Sequence, residues 1–198
     1  NAKYAFVILR NPFKKLLSFY LDKICSDKST KEDQSYALAK SIFNTRSSTT
    51  FEEFVDTIYR NPSLISKDVH TRRQCDFLIY QNYNDYFRFE DFKGTKKKLR
   101  EKIGLDLIDT RQSGSIRTTY EMEEMEGFNY STTASEANKL LDMNKKPTER
   151  NMFTREMIAK VGTIYFSDIL LYSNAVEGGA EELEDWMNEL RHPDFYNE

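Results

Sequence analysis

The spacing of hydrophobic residues changes character at Asn11-Pro12. Before that point Tyr4-Ala-Phe-Val-Ile-Leu9 is an unbroken apolar run rich in aromatic and β-branched residues, and it predicts a strand buried on both faces. After it, Phe13, Leu16, Leu17, Tyr20, Leu21 and Ile24 recur at helical spacing and mark one apolar helix face. Pro12 suits the first turn, where its missing N–H would be unpaired anyway, and Asn11 is placed to cap that turn. Arg10 is then the last strand residue, and Lys14 and Ser18 lie at the edge of the helix's apolar face.

Further along, Ser26 to Asp33 is polar and aperiodic and reads as a loop. Tyr36, Ala39, Ile42 and Phe43 predict a helix ending near Asn44. Thr50-Phe-Glu-Glu53 fits a capping box, followed by the stripe Phe51, Phe54, Val55 and Ile58, and Asn61-Pro62-Ser63 breaks it. Asp85 to Phe92 alternates as a half-buried strand, in which Arg88 and Glu90 read as structural partners of neighbouring groups. Lys93 to Ile103 is a basic helix that Gly104 can end. Thr133-Ala-Ser-Glu136 is a second capping box, its helix ended by Lys145-Lys-Pro147. From Thr154 to Tyr172 one apolar helical face contains Asp168, a carboxylate that must find a partner or take up a proton. Gly178-Gly179 introduces a last helix carrying Leu183, Trp186 and Met187.

Composition narrows the classes. A chain of 198 residues with 39% hydrophobic and 14% aromatic content suits a single domain, 1–198, with a sizeable core. A net charge of −3 counts against a nucleic-acid partner. No apolar run reaches bilayer length and no signal peptide is visible. Cys25 and Cys75 form no disulfide framework; two thiols fit a reducing cytoplasm, and one bridge is the alternative. Glu121 to Glu126 lacks a metal-ligand spacing. Oligomeric state is not legible.

The organising strand and helix have a chemical use. Ligands of open α/β sheets bind beyond the carboxyl ends of the strands, where Arg10 points. The helix behind it is expected to offer unpaired N–H groups and a positive dipole end, and a phosphate is the natural occupant. The alternative is an Arg paired with a local carboxylate. Histidine is the side chain whose ordinary pKa suits proton transfer near neutral pH, so His70, beside Arg72 and Arg73, is a candidate general base, with a structural loop role as its alternative. Tyr80, Tyr83 and Tyr86 suit either sugar stacking or core packing.

Arg10-Asn-Pro-Phe-Lys-Lys-Leu-Leu-Ser18 resembles the 3′-phosphate-binding segment of sulfotransferases that use 3′-phosphoadenosine 5′-phosphosulfate (PAPS), particularly the carbohydrate type. His70-Thr-Arg-Arg-Gln74-Cys-Asp-Phe77 and Asp85-Tyr-Phe-Arg-Phe-Glu-Asp-Phe92 resemble two later segments of that family, in the same order. The resemblance implies a P-loop-like three-layer α/β/α fold, with a parallel sheet flanked by helices and a helix-rich C-terminal part. It implies PAPS as sulfuryl donor, no metal, and a small-molecule or carbohydrate hydroxyl as acceptor. Arg10 and Ser18 would hold the donor's 3′-phosphate, with Arg117, flanked by Thr118 and Thr119, completing that pocket from a late loop. The family's opening Pro-Lys-x-Gly-x-x-Thr turn, which grips the 5′-phosphosulfate, has no counterpart, since no glycine precedes Gly94. The expectation is therefore a sequence without its N-terminal strand and loop, with a base upstream of residue 1 as the alternative to His70 and a Golgi lumen as alternative compartment if an anchor has been removed. A non-catalytic nucleotide-binding module and a P-loop kinase-like phosphotransferase are the other readings.

Overall fold

Residues 3–26, 34–109 and 122–189 are described by the computed structural model of the protein. Strand β1, Phe6–Leu9, leads through Arg10 and Asn11 into α1, Pro12–Phe19, which a wide helical turn extends over Tyr20–Ile24. Helices α2, Gln34–Ile42, and α3, Phe51–Arg60, follow, and then strand β2, Asp85–Arg88. β2 lies parallel to β1, with Phe6 opposite Asp85 and Leu9 opposite Arg88. Parallel neighbours require a long crossover, and α1 to α3 lie within it.

After β2 come α4, Phe92–Ile103, then strand β3, Glu123–Glu124, α5, Ala134–Asp142, and strand β4, Lys145–Lys146. The C-terminal part is helical: α6, Arg155–Ile164, α7, Phe166–Ala175, and α8, Gly179–Glu189. β3 and β4 also pair in parallel, Glu123 against Lys145 and Glu124 against Lys146, with an ion pair across each rung. The chain is thus a mixed α/β fold, whose described sheets are two parallel pairs.

The core forms around α1. Phe13, Leu16, Leu17, Tyr20, Leu21 and Ile24 are all buried, as their spacing predicts, and Phe19 is buried with them. Phe19, Tyr20, Phe43, Phe51 and Phe54 pack ring against ring, with neighbouring centroids 5.0 to 6.3 Å apart. On its other flank Phe13 lies 4.4 Å from Trp186 of α8, and both rings touch Phe153. Both capping boxes form, Thr50 with Glu53 and Thr133 with Glu136. The two caps also meet: Thr50 and Thr133 bridge in antiparallel fashion, tying the starts of α3 and α5 together. No described helix is long and apolar enough to cross a membrane.

Four elements depart from expectation. β1 is half-buried at Phe6, Val7 and Ile8, and only Leu9 is buried, because a cavity runs along the strand. β2 ends at Arg88, since Asp91 turns back to accept a hydrogen bond from Gly94 N and starts α4. α5 stops at Asp142, with Asn144 in the left-handed conformation before β4. The late apolar face is divided between α6 and α7 at Tyr165, where ψ is 24° and the buried phenol donates to Thr71 O at 2.7 Å.

Candidate functional site

The site is built on the junction of β1 and α1. Asn11 is fully buried, and its side-chain oxygen accepts from Phe13 N at 3.0 Å and Lys14 N at 3.5 Å. Asn11 O accepts from Lys15 N at 2.9 Å, and Asn11 N donates to Glu90 at 3.0 Å. The expectation of open N–H groups at this helix start is therefore corrected. Pro12 has none to give, and the cap takes the next two. An anion here must be held by side chains.

Arg10 follows the last residue of β1, and its guanidinium lies over the Phe89 ring, 5.1 Å from the centroid. Its backbone is gripped from the side: Arg10 N donates to Gln74 Oε1 and Gln74 Nε2 donates to Arg10 O, both at 2.8 Å. The next turn of α1 carries two lysines. Lys14 pairs with Glu182 at 3.1 Å and Glu149 at 3.5 Å. Lys15 donates to Arg72 O and lies 5.7 Å from the Tyr165 ring. Burial lowers the Lys15 pKa, Asp168 opposes that, and the nearby Arg10 charge adds to it. Ser18 is half-buried one turn further on.

The segment after α3 runs back along α1. His70 stacks on Phe19 at its far end, Arg72 O meets Lys15, and Gln74 reaches Arg10 at the strand end. His70 is held by Asp68, whose Oδ1 accepts from His70 N at 2.7 Å and lies 3.0 Å from Nδ1. The imidazole is more than half exposed. Arg72 donates to Ser66 O at 2.9 Å and Arg73 pairs with Asp76 at 3.5 Å, so both are engaged within the loop. Arg10, Ser18 and His70 are thus placed along one helix, with Arg10 and His70 at opposite ends. Arg117 lies outside the described residues.

Three acceptors escape sequence reasoning in their role. Asp168, 1% exposed, accepts from Gln74 N at 2.8 Å and Cys75 N at 2.9 Å. Its place in an apolar stripe signals that it needs partners, but not which. Glu90 and Glu182 both face the Tyr172 hydroxyl, at 3.1 and 2.7 Å, and Glu182 also pairs with Arg88 at 3.4 Å. Arg88 and Glu90 are structural, as expected. Cys25 and Cys75 are both thiols, and burial with Asp168 beside it pushes Cys75 up to about 11.

Beside β1, on the side away from β2, a cavity of about 580 Å3 is lined by Phe6, Ile8, Gln74, Phe77, Tyr80 and Tyr83. Tyr80, Tyr83 and Tyr86 form an edge-to-face ladder with successive centroids 5.6 Å apart. No group of three potential metal ligands occurs among the described residues.

The sequence profile described as "Sulfotransferase family" matches residues 1–173, most of the chain, including β1, α1 and every element up to α7. No curated protein and no solved structure matches.

Proposed function

Because the chain belongs to the sulfotransferase family, we propose that it transfers the sulfuryl group of PAPS to a hydroxyl of a carbohydrate or related small acceptor, without a metal ion. The observation that carries this reading is the placement of Arg10 at the carboxyl end of β1 and of Ser18 on the helix that follows. Ser18 lies seven residues beyond the cap, about 10 Å along the axis. Arg10 supplies a permanent charge and a planar fork of donors, and Ser18 a neutral donor, for the 3′-phosphate. Arg117 is the further 3′-phosphate contact. The parallel register of β1 and β2, with its helical crossover, supports a P-loop-like three-layer domain. The two thiols favour a reducing, cytoplasmic setting.

In the reaction the acceptor oxygen attacks sulfur, the bond from sulfur to the 5′-phosphate oxygen breaks, and the acceptor proton passes to a base. 3′-Phosphoadenosine 5′-phosphate leaves with the electron pair. His70 is the candidate base. Its Nδ1 is tied to Asp68, which fixes the ring and stabilises the imidazolium formed at Nε2.

The test is calorimetric titration of the protein with 3′-phosphoadenosine 5′-phosphate. Arg10→Ala and Ser18→Ala should weaken binding roughly 10- to 150-fold, the equivalent of losing a charged hydrogen bond of about 1.5–3 kcal/mol. His70→Gln should lower turnover while leaving that affinity unchanged. A folded wild type that ignores the nucleotide overturns the reading.

A further inference from the structure

We propose that Asp168 is the positioning residue of the 3′-phosphate site, acting through Gln74 on the backbone of Arg10. The inference rests on the reading that Arg10 holds that phosphate, and it adds a residue from α7, far from the site in sequence.

Asp168 stands in the first turn of α7, buried in the apolar stripe of the late helices. A carboxylate there is tolerated only if its oxygens are bonded. Each has one backbone partner: Oδ2 accepts from Gln74 N and Oδ1 from Cys75 N. Consecutive amides donating to the two oxygens of one carboxylate make a fork that fixes the peptide between them. The positive end of the α7 dipole favours the charge from behind. Lys15 and Arg73 are the cations near this cluster, and Tyr165 packs beside it.

With its backbone fixed, Gln74 extends its carboxamide to the end of β1. The two bonds it makes to Arg10 N and O reproduce one rung of a strand ladder. On the other edge of β1 the ladder partner is β2, and Asn84 extends it to Ala5. A side chain therefore stands in for a strand at Arg10, after the β1–β2 pairing has ended at Leu9. Those two bonds hold the peptide groups on either side of the Arg10 Cα, and so set the direction in which its side chain leaves the chain. Without them the Arg10 backbone is a bare junction between a strand and a capped helix.

The relay runs Asp168, Gln74 and Cys75 amides, Gln74 carboxamide, Arg10 backbone. Asp168→Asn is isosteric but presents an NH2 group to one of the two amides, so the fork loses one acceptor and gains a donor facing a donor. Gln74→Ala removes the rung directly and leaves α7 untouched.

The experiment compares two nucleotides that differ by one group, 3′-phosphoadenosine 5′-phosphate and adenosine 5′-phosphate. Binding of each is titrated on the full chain, its Asp168→Asn and Gln74→Ala variants, and the double variant. Both single variants should lose about tenfold in affinity for the 3′-phosphorylated nucleotide, while adenosine 5′-phosphate binds within about twofold of wild type, a discrimination worth one decade or about 1.4 kcal/mol. The double variant should be no weaker than Gln74→Ala, because both act through one rung. Equal weakening of both nucleotides, or additive losses, reduces Asp168 to general scaffolding and overturns the relay. If Asp168→Asn does not fold, Gln74→Ala decides: unchanged discrimination overturns the proposal. A wild type that binds both nucleotides equally overturns the phosphate site itself, and the relay with it.

Discussion

Tyr172 of α7 donates its hydroxyl proton to Glu182 of α8 at 2.7 Å, while Glu90 stands 3.1 Å from the same oxygen. One phenolic proton thus lies between two carboxylates, and both carboxylates reach the start of α1: Glu90 accepts from Asn11 N, and Glu182 from the Asn11 side chain at 3.3 Å and from Lys14. The phosphate-binding turn in the proposed reading is held from beneath by this cluster. Tyr172 is fully buried, so Tyr172→Phe leaves two acidic groups facing each other without the donor. The variant should lose about 1.5–3 kcal/mol of unfolding free energy in urea, the usual cost of removing a donor from charged acceptors. A loss within experimental error would show that the two carboxylates do not depend on this proton.

Acid should weaken the same cluster. Burial acts to raise the Glu182 pKa, but the bonds from Tyr172, Lys14 and Asn11 outweigh it and hold the carboxyl below its usual range. A folded pKa below the unfolded value means that Glu182 contributes stability above the unfolded pKa of about 4.3, and that this contribution fades as pH falls through the folded value. Unfolding curves of wild type and Glu182→Gln should therefore be well separated at pH 7 and draw together below about pH 4. Curves that stay parallel across that range would remove Glu182 from the linkage.

α8 has little freedom in where it starts. A methyl group added at Gly179 would meet Tyr172 O at 2.3 Å, a backbone atom that cannot swing aside. Gly179→Ala must push α8 off α7, drawing Glu182 away from Lys14 and Trp186 away from Phe13. We expect a destabilisation of about 1–3 kcal/mol, the ordinary cost of overpacking a tight contact. Preserved thermal stability would mean that α8 is free to shift.

The two capping boxes give a coupled pair. Removing either Thr50 or Thr133 should cost about 1 kcal/mol, as for other N-cap threonines replaced by alanine. Because the two caps bridge each other through the backbone, with Ala134 N on Thr49 O at 2.9 Å and Ser135 N on Ser47 O at 2.8 Å, the losses should not add. A double-mutant cycle in urea measures this, and an interaction energy of zero would make the bridge incidental.

What the sequence discloses is what is local. The α1 stripe, the Asn11 cap, both capping boxes and the Gly104 stop are written within a turn or two of the residues they govern, and each is found where its pattern places it. The strand Asp85 to Phe92 is read too long because alternation says nothing of Asp91, whose bond to Gly94 N decides the matter. The open helix start at Pro12 is misread for a related reason: a good cap satisfies the very groups that a phosphate would need. Gln74, Asp168 and Glu182 act across 64, 94 and 171 residues. Asp168 at least announces a need by sitting among apolar positions. Glu182 lies in an acidic, exposed-looking helix, and nothing near it hints at Asn11.

Trp186 is the only tryptophan in the chain, and it packs on Phe13, in the first turn of α1, outside the stretch that matches the family. A single indole so placed is an optical probe built into the floor of the Arg10–Ser18 segment. Its emission answers to the packing of that turn, Phe153 and α8 on one another, with no second fluorophore of its kind to blur the signal. Ligand occupancy, loss of the Glu182 clamp and detachment of α8 can each be followed through the same chromophore, without a label.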